Sequence, residues 1–440
     1  MGLKYVEHIK SAVLILLILL SVSLTFSIWT FRTNYQPIEQ APAVETISEK
    51  QKLGDVILPY KLIAMSEDGV TGTTGREDIG KLMDFMKTWS FQNLTEADKE
   101  VTMEEADDII SQPNTVTLFF RSPIPFGVAD SLFRFADSVT TEASFSQIVI
   151  ETQSDIGLIH FIGKDGGRRF TAQATGVEPE QLNDLLAGAK GLEPYGAVER
   201  ETAMTLYLPA TSASVSNMTF FQQEVSPSRF KKVLFPDTTL VKQVKTGEHS
   251  EKYHDIERQM IVDTEMKTLR FNNTRMSDSE GVSIPSELLM DSLDFVNGHG
   301  GWTNEFVLSS MDPLRKQIKY RMVVEGYPVF SEMTLTEITQ IWGNGQISSY
   351  ARPYYQLGEP TPENAEKRLP AGTAVAEGLR TDPEVDFNQV DDIVRGYHLQ
   401  LIQRGEEALY TLEPEWFYEE NGEWHPVNNA GTGGGRGGLE

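Results

Sequence analysis

A histidine set among glycines has the surroundings closest to a catalytic motif. Gly298-His299-Gly300-Gly301 resembles the oxyanion loop of esterases, in which main-chain N–H groups stabilise a developing negative charge. Such enzymes also need a nucleophile elbow of the form G-x-S-x-G, and the sequence contains none. A tight loop after the helix predicted for SELLMDSLDFVN explains the same glycines, and we favour this structural interpretation.

A second candidate is a cation site near the C-terminus. Four oxygen-bearing residues alternate there, as at the start of a calcium-binding loop: Asp382, Glu384, Asp386 and Asn388. However, Phe387 stands where the loop needs glycine, and Ile393 stands where it needs a bidentate glutamate. The absence of cysteine excludes disulfides, thiolate metal sites and a cysteine nucleophile. We therefore predict no catalytic, cofactor-binding or metal site and no enzymatic activity, and the cation near Asp382 stays an open alternative.

The N-terminal segment points to a different kind of chemistry. Residues 12–31 are twenty residues without a charge, which make about 30 Å of helix, the thickness of a bilayer core. A cleaved signal peptide is the alternative, because Ser21-Val22-Ser23 follows an apolar run. We favour a retained anchor, since the apolar run continues through Trp29. Lys4 and Lys10 precede the segment, which predicts a cytoplasmic N-terminus.

Small and hydroxylated residues recur along one face of that predicted helix. The face contains Ala12, Leu16, Ser23, Ser27 and Thr30, and we predict that it binds a partner helix within the membrane. Small side chains let helices approach closely, and hydroxyl groups form hydrogen bonds between them. The alternative, that the hydroxyl groups bond back to their own helix, is equally compatible with the sequence.

Composition restricts the possible partners. The 440 residues include 38 basic and 64 acidic side chains, a net charge of −26, which disfavours nucleic acid and anionic lipid headgroups. An extracytoplasmic protein without cysteine is typical of Gram-positive bacteria. We predict a single-pass protein of the cell membrane with its bulk outside, and no nucleic-acid partner.

The hydrophobic patterns that follow predict an α+β fold. We expect the single N-terminal transmembrane helix to be followed by a multi-domain region of antiparallel sheets with packed helices. Strong strands are TVTLFFRS and GLIHFIG, strong helices are GREDIGKLMDFMKTW and EPEQLNDLLAGAKG, and Gly343-Asn344-Gly345 and Glu420-Asn421-Gly422 predict hairpin turns. The predicted divisions are a cytoplasmic N-terminus (1–11), the transmembrane helix (12–31), a linker (32–54), three ectodomains (55–198, 199–313 and 314–427) and a flexible tail (428–440).

Several longer stretches together resemble the YycH family, also called WalH. They are GLKYVEHIKSAVLILLILLSVSLTFSIWTF, KLGDVILPYKL, GGWTNEFVLSSMDPLRKQIKYRMVVEGYPVF and WGNGQISSYARPYYQL. The resemblance covers essentially the whole chain and contains no catalytic signature. It implies a membrane-anchored, non-enzymatic regulator of cell-wall metabolism that modulates a WalK-like sensor histidine kinase of a two-component system. It further implies contacts between transmembrane helices and a YycI-like membrane protein as partner.

Two alternatives remain beside this expectation. The first is a membrane-anchored extracytoplasmic module that binds cell-wall polymer or a small ligand, with Trp302, Trp342 and Tyr354 as possible groove linings. The second is a hydrolase that uses a carboxylate, although no spacing nominates which one. The sequence leaves open whether the regulator activates or inhibits.

Overall fold

The computed structural model describes most of the chain after residue 48. The described residues are 14, 16–17, 19–21, 49–153, 157–275, 282–343, 345–362, 365–404 and 407–427. The chain forms two compact units, Met1–Glu45 and Thr46–Glu440. Within the described part of the chain, no helix combines the length and the apolar character that crossing a membrane requires.

The first unit contains the predicted partner-binding face. Leu16 lies in a helical stretch with its side chain 66% exposed. Ala12, Ser23, Ser27 and Thr30 lie outside the described residues.

The second unit begins with a nine-stranded antiparallel sheet, which we call the first sheet. In space its strands follow the order β3-β7-β6-β5-β4-β1-β2-β8-β9. Their bounds are β1 (Lys61–Ser66), β2 (Gly69–Thr73), β3 (Ser90–Glu96), β4 (Thr115–Pro125), β5 (Ser144–Glu151), β6 (Leu158–Gly163), β7 (Gly166–Thr175), β8 (Glu193–Val198) and β9 (Leu206–Pro209). A cluster of phenylalanines fills its core, and Phe145 packs edge-on against Phe161 at 5.1 Å.

A short two-stranded sheet and a fourteen-stranded sheet follow. The short sheet pairs β10 (Ala213–Ser216) with β22 (Glu366–Leu369). The large sheet, which we call the second sheet, contains β11 (Met218–Glu224), β12 (Lys242–Lys245), β13 (Ser250–His254), β14 (Arg258–Asp263), β15 (Thr268–Asn273), β16 (Phe306–Asp312), β17 (Gln317–Val324), β18 (Tyr327–Phe330), β19 (Glu337–Trp342), β20 (Ile347–Pro353), β21 (Tyr355–Pro360), β23 (Val390–Arg404), β24 (Glu407–Glu420) and β25 (Glu423–Pro426). Its pairings are antiparallel except for β18 with β23, which run parallel.

Seven α-helices belong to the described part of this unit. They are α1 (Leu53–Val56), α2 (Arg76–Met86), α3 (Met103–Ile110), α4 (Pro179–Ala187), α5 (Pro227–Leu234), α6 (Pro285–Gly298) and α7 (Gly372–Thr381), with 3₁₀ turns at Phe126–Ser131 and Phe387–Gln389. The predicted α+β fold of antiparallel sheets with packed helices is confirmed for the described residues.

A capping box marks the start of α3, whereas α5 begins without a side-chain cap. Thr102 caps α3, because its side chain accepts the main-chain N–H of Glu105 at 3.2 Å while the Glu105 carboxylate accepts the N–H of Thr102 at 2.8 Å. Ser226 stands at the N-cap position of α5, but its side chain makes no capping bond. Its hydroxyl lies 2.9 Å from the Ser228 hydroxyl instead.

Both predicted hairpin turns are present. Asn421 and Gly422 join β24 to β25 with φ of 54° and 77°, the left-handed pair that a type I′ turn requires. β19 and β20 pair across the second turn, of which Asn344 lies outside the described residues.

The three ectodomain boundaries stay predictions. β9 follows the predicted boundary at 199 and pairs with β8 in the first sheet. β15 and β20 lie on either side of the predicted boundary at 314 and pair with each other in the second sheet.

Candidate functional site

Charged and aromatic side chains meet where the first sheet adjoins the second sheet. We call this group the junction and define it by Tyr60, Lys61, Arg121, Arg321, Phe330, Asp392, Phe417, Glu419 and Trp424. Lys61 opens β1, and Arg121 lies where the register of β4 against β5 shifts between Phe119 and Ile124. A bulge of this kind re-aims side chains, which here places a guanidinium beside the second sheet.

A buried carboxylate lies at the centre of the junction. The Nζ atom of Lys61 lies 3.5 Å from one oxygen of Asp392, and a terminal guanidinium nitrogen of Arg121 lies 3.7 Å from the other. Lys61 and Asp392 are only 6% and 7% exposed. Burial lowers the pKa of Lys61, and the Asp392 carboxylate partly offsets that effect. The pairing therefore holds charge of both signs in a site that water hardly reaches.

Aromatic rings and guanidinium groups stack around this carboxylate. The Arg121 guanidinium lies over the Tyr60 ring at 4.2 Å and over the Trp424 ring at 5.4 Å. Trp424 continues the stack to Phe330 at 5.1 Å between ring centroids, and the Arg321 guanidinium lies over Phe330 at 4.4 Å. Such cation–π contacts strengthen where the cation has lost its water. The stack thus connects the start of β1 and the strand β4 of the first sheet to the β24–β25 hairpin of the second sheet.

The carboxyl group of Glu419, in the junction, has a strongly raised pKa. It lies directly opposite Asp392 across β23 and β24, and opposite Trp424 across β24 and β25. Burial and, to a smaller extent, the Asp392 carboxylate raise the pKa of Glu419 to about 7, while Arg121 opposes the rise. At neutral pH this carboxyl is divided between its protonated and ionised forms.

Two openings lie beside the stack. A cavity of about 130 Å³ lies between the two sheets, with Gln147, Lys61 and Glu419 among its lining residues. An open groove of about 450 Å³ lies on the second sheet, lined in part by Phe330, Trp424 and His398. Trp424 belongs to both openings and forms part of the wall between them.

The candidate cation residues are engaged in local turns. Asp382 accepts the main-chain N–H of Glu384 at 2.9 Å, and Asp386 accepts that of Asn388 at 3.2 Å. Both are Asx turns, which use the carboxylate oxygens within the loop itself. Within the described residues, no three histidine or acidic side chains gather as a metal site.

His299 belongs to a helix end. Its Nδ1 atom lies 2.8 Å from the carbonyl oxygen of Phe295, and its ring stacks on the Phe295 ring at 3.9 Å. Burial lowers the pKa of His299. Gly300 and Gly301 follow with φ of 98° and 71°, so the structural interpretation of these glycines is confirmed.

The aromatic residues considered as possible groove linings are core residues, as buried aromatic residues ordinarily are. Trp302, Trp342 and Tyr354 are all buried. Each polar end has an internal partner: Trp302 donates to Asn297, Trp342 to Gln340, and Tyr354 to the carbonyl oxygen of Asp263. Sequence analysis missed Trp424. The available signal was its position two residues after the Asn421-Gly422 turn, at the start of a short final strand.

Comparisons with known proteins agree on one family. The family model described as "YycH protein, C-terminal domain" matches residues 203–433, and the one described as "YycH protein, N-terminal domain" matches residues 7–186. The chain is 22% identical to the Bacillus subtilis (strain 168) "Two-component system WalR/WalK regulatory protein YycH", over 96% of each chain. Its fold matches the crystal structure of YycH from Bacillus subtilis with a TM-score of 0.71 and 19% identity, covering 87% of this chain and 98% of that one.

Proposed function

Because the chain belongs to the YycH family, we propose that it regulates a WalK-like sensor histidine kinase of a two-component system without catalysing a reaction itself. The observation that carries this proposal is the full-length match to a relative whose name states that regulatory role. The junction supports a non-catalytic role, because Lys61 and Arg121 both pair with Asp392 and the Arg121 guanidinium is stacked on the Tyr60 ring.

In this proposal the chain is a single-pass protein of the cell membrane. Residues 1–11 lie in the cytoplasm, 12–31 cross the bilayer, and the remainder lies outside. The support is the uncharged length of 12–31 and the lysines that precede it. The extracytoplasmic part then consists of the predicted linker (32–54), the three predicted ectodomains and the predicted tail (428–440).

The transmembrane helix is the proposed effector. The face that contains Ala12, Leu16, Ser23, Ser27 and Thr30 packs against the kinase helices and biases their signalling equilibrium. A coupling of about 1–3 kcal/mol, which is typical of allostery, changes an equilibrium several-fold to a hundred-fold. A YycI-like membrane protein acts with this chain in the proposal.

A co-purification tests the proposal. The kinase of the same organism is captured from membranes with the native chain, and with a variant whose residues 12–31 are replaced by poly-leucine between the same flanks. We expect the variant to reach the membrane in equal amount and to lose the kinase, because leucine removes the small and hydroxylated face. Equal recovery of the kinase with both chains would contradict an effector helix, and recovery with neither would contradict the partner.

A further inference from the structure

The cavity between the two sheets is the feature that the proposed function leaves unexplained. Its walls come from both sheets, with Gln147 on β5 and Arg321 on β17. Interfaces between structural layers are where small-molecule sites most often form. At about 130 Å³ it has room for roughly four water molecules at about 30 Å³ each, or for one molecule of a few heavy atoms.

Basic side chains are concentrated around this cavity. The chain as a whole has 38 basic and 64 acidic residues, so acids predominate on its surface. The cavity lining is close to balance, with five basic residues against four acidic ones. Glu337, outside the lining, also pairs with the Arg321 guanidinium at 2.6 Å. The basic residues are Lys61, Arg121, Lys164, Arg200 and Arg321, and the acidic residues are Asp165, Asp391, Asp392 and Glu419.

Part of that positive charge is not hydrogen-bonded to a carboxylate. Arg200 donates to the main-chain carbonyl oxygens of Met204 and Val390, while Asp392 and Asp391 stabilise its charge electrostatically. Arg121 holds Asp392 only at 3.7 Å, which is longer than a direct charge-assisted hydrogen bond. A negatively charged group in the cavity would therefore find two guanidinium groups able to interact with it.

Three lining side chains are also buried with polar atoms that lack a hydrogen-bond partner. They are Nε of Arg321, Oε1 of Gln147 and Oγ of Ser146, in residues that are 8%, 8% and 5% exposed. An unsatisfied buried polar atom is costly, so each of these atoms needs a partner from water or from a bound molecule. Arg321 offers a donor and Gln147 offers an acceptor. The partner they call for bears both an acceptor and a donor.

The apolar part of the wall limits what else the partner contains. Phe119, Phe120, Ala203 and Leu206 line the cavity beside the charged groups. A ligand with only charged groups would leave this apolar wall without contacts. A ligand that also has a short apolar group would cover it.

We propose that this cavity binds a small zwitterion, an amino acid with a short side chain. Its carboxylate faces Arg121, Arg200 and the Nε atom of Arg321, its ammonium group donates to Gln147 and the neighbouring acids, and its side chain contacts the phenylalanines. The guest touches both sheets, so binding stabilises their association. The inference goes beyond the proposed function and does not depend on it, because binding is measurable without the kinase.

Thermal unfolding of the full-length chain in detergent tests this proposal. The probes are glycine, L-alanine and D-alanine, with acetate and ethylammonium as molecules that carry one charge only. We expect at least one zwitterion to raise the unfolding temperature in a saturable way, and neither single-charge molecule to do so at equal concentration. No rise with any of the three zwitterions would overturn the proposal. An equal rise with acetate or ethylammonium would also overturn it, since one charge would then suffice.

Single-residue variants test whether the zwitterion binds in this cavity. Gln147→Leu removes the orphaned acceptor at nearly constant volume, and we expect the apparent affinity to fall about tenfold or more. Gln173→Leu is the matched control, because Gln173 lies exposed on β7 and bonds Asn93 away from the cavity. Ser146→Ala, a smaller change, serves if Gln147→Leu does not fold. Unchanged affinity in the cavity variant that folds would overturn the assignment.

Discussion

Glu419 gives the sharpest test of the junction, because its ionisation opposes folding. Its pKa is raised from an ordinary value of 4.5 to about 7 by burial and by Asp392. Between these two values the native state holds a proton that the unfolded chain releases. Stability is therefore highest below pH 4.5 and falls as the pH rises towards 7. At about 1.4 kcal/mol per pKa unit, the full cost is roughly 3 kcal/mol. Since the side chain is only partly shielded from water, we expect about 1–3 kcal/mol.

The substitution Glu419→Gln isolates this cost. Glutamine resembles the protonated acid and cannot ionise, so the variant should match the native chain at pH 4 and exceed its stability by about 1–3 kcal/mol at pH 8. Urea unfolding of the full-length chain in detergent, followed by tryptophan fluorescence, measures the difference. Glu423→Gln removes an exposed carboxyl from the same hairpin and controls for net charge. A difference between Glu419→Gln and the native chain that is the same at both pH values would refute the reasoning.

Two further predictions use the same unfolding assay. Asp392→Asn leaves the buried cations without their counterion and should lower the free energy of unfolding by about 3 kcal/mol. Glu96→Gln, in an exposed ion pair, should lower it by less than about 1 kcal/mol, and equal losses in the two variants would contradict a buried junction. Gly300→Ala places a Cβ atom 2.6 Å from the Phe230 ring at a φ of 98°, and should cost about 2–4 kcal/mol. Gly298→Ala meets no atom within 4 Å and should change stability by less than about 1 kcal/mol; a similar loss in both variants would show that crowding at Phe230 is not the cause.

Elements set by local sequence were predictable. The helix Arg76–Met86 follows from the spacing of its apolar residues, and the β24–β25 turn follows from Asn421-Gly422. The position of Ser226 at a helix start was predictable too, because proline follows it. Its missing cap was not, since a hydroxyl has several competing partners within reach.

The junction was not predictable, because its members are far apart in the chain. Tyr60, Arg121 and Trp424 meet through a bulge in β4, a sheet-to-sheet contact and a final hairpin. No periodic pattern in the sequence indicates that these three residues are in contact. The role of Trp302 was open for a related reason, because an aromatic residue looks the same in sequence whether it lines a groove or fills a core.

The central claim is that the segment 12–31 contacts the kinase through one face. The chain has no cysteine, so single cysteines can carry a photocrosslinker without background labelling. Crosslinking in membranes from Ser23→Cys and Ser27→Cys is compared with Ser21→Cys and Thr25→Cys, which a helix of 3.6 residues per turn places on the opposite face. The account predicts kinase adducts from the first pair in clear excess over the second. Adducts from the second pair alone, or from none of the four positions, would contradict it.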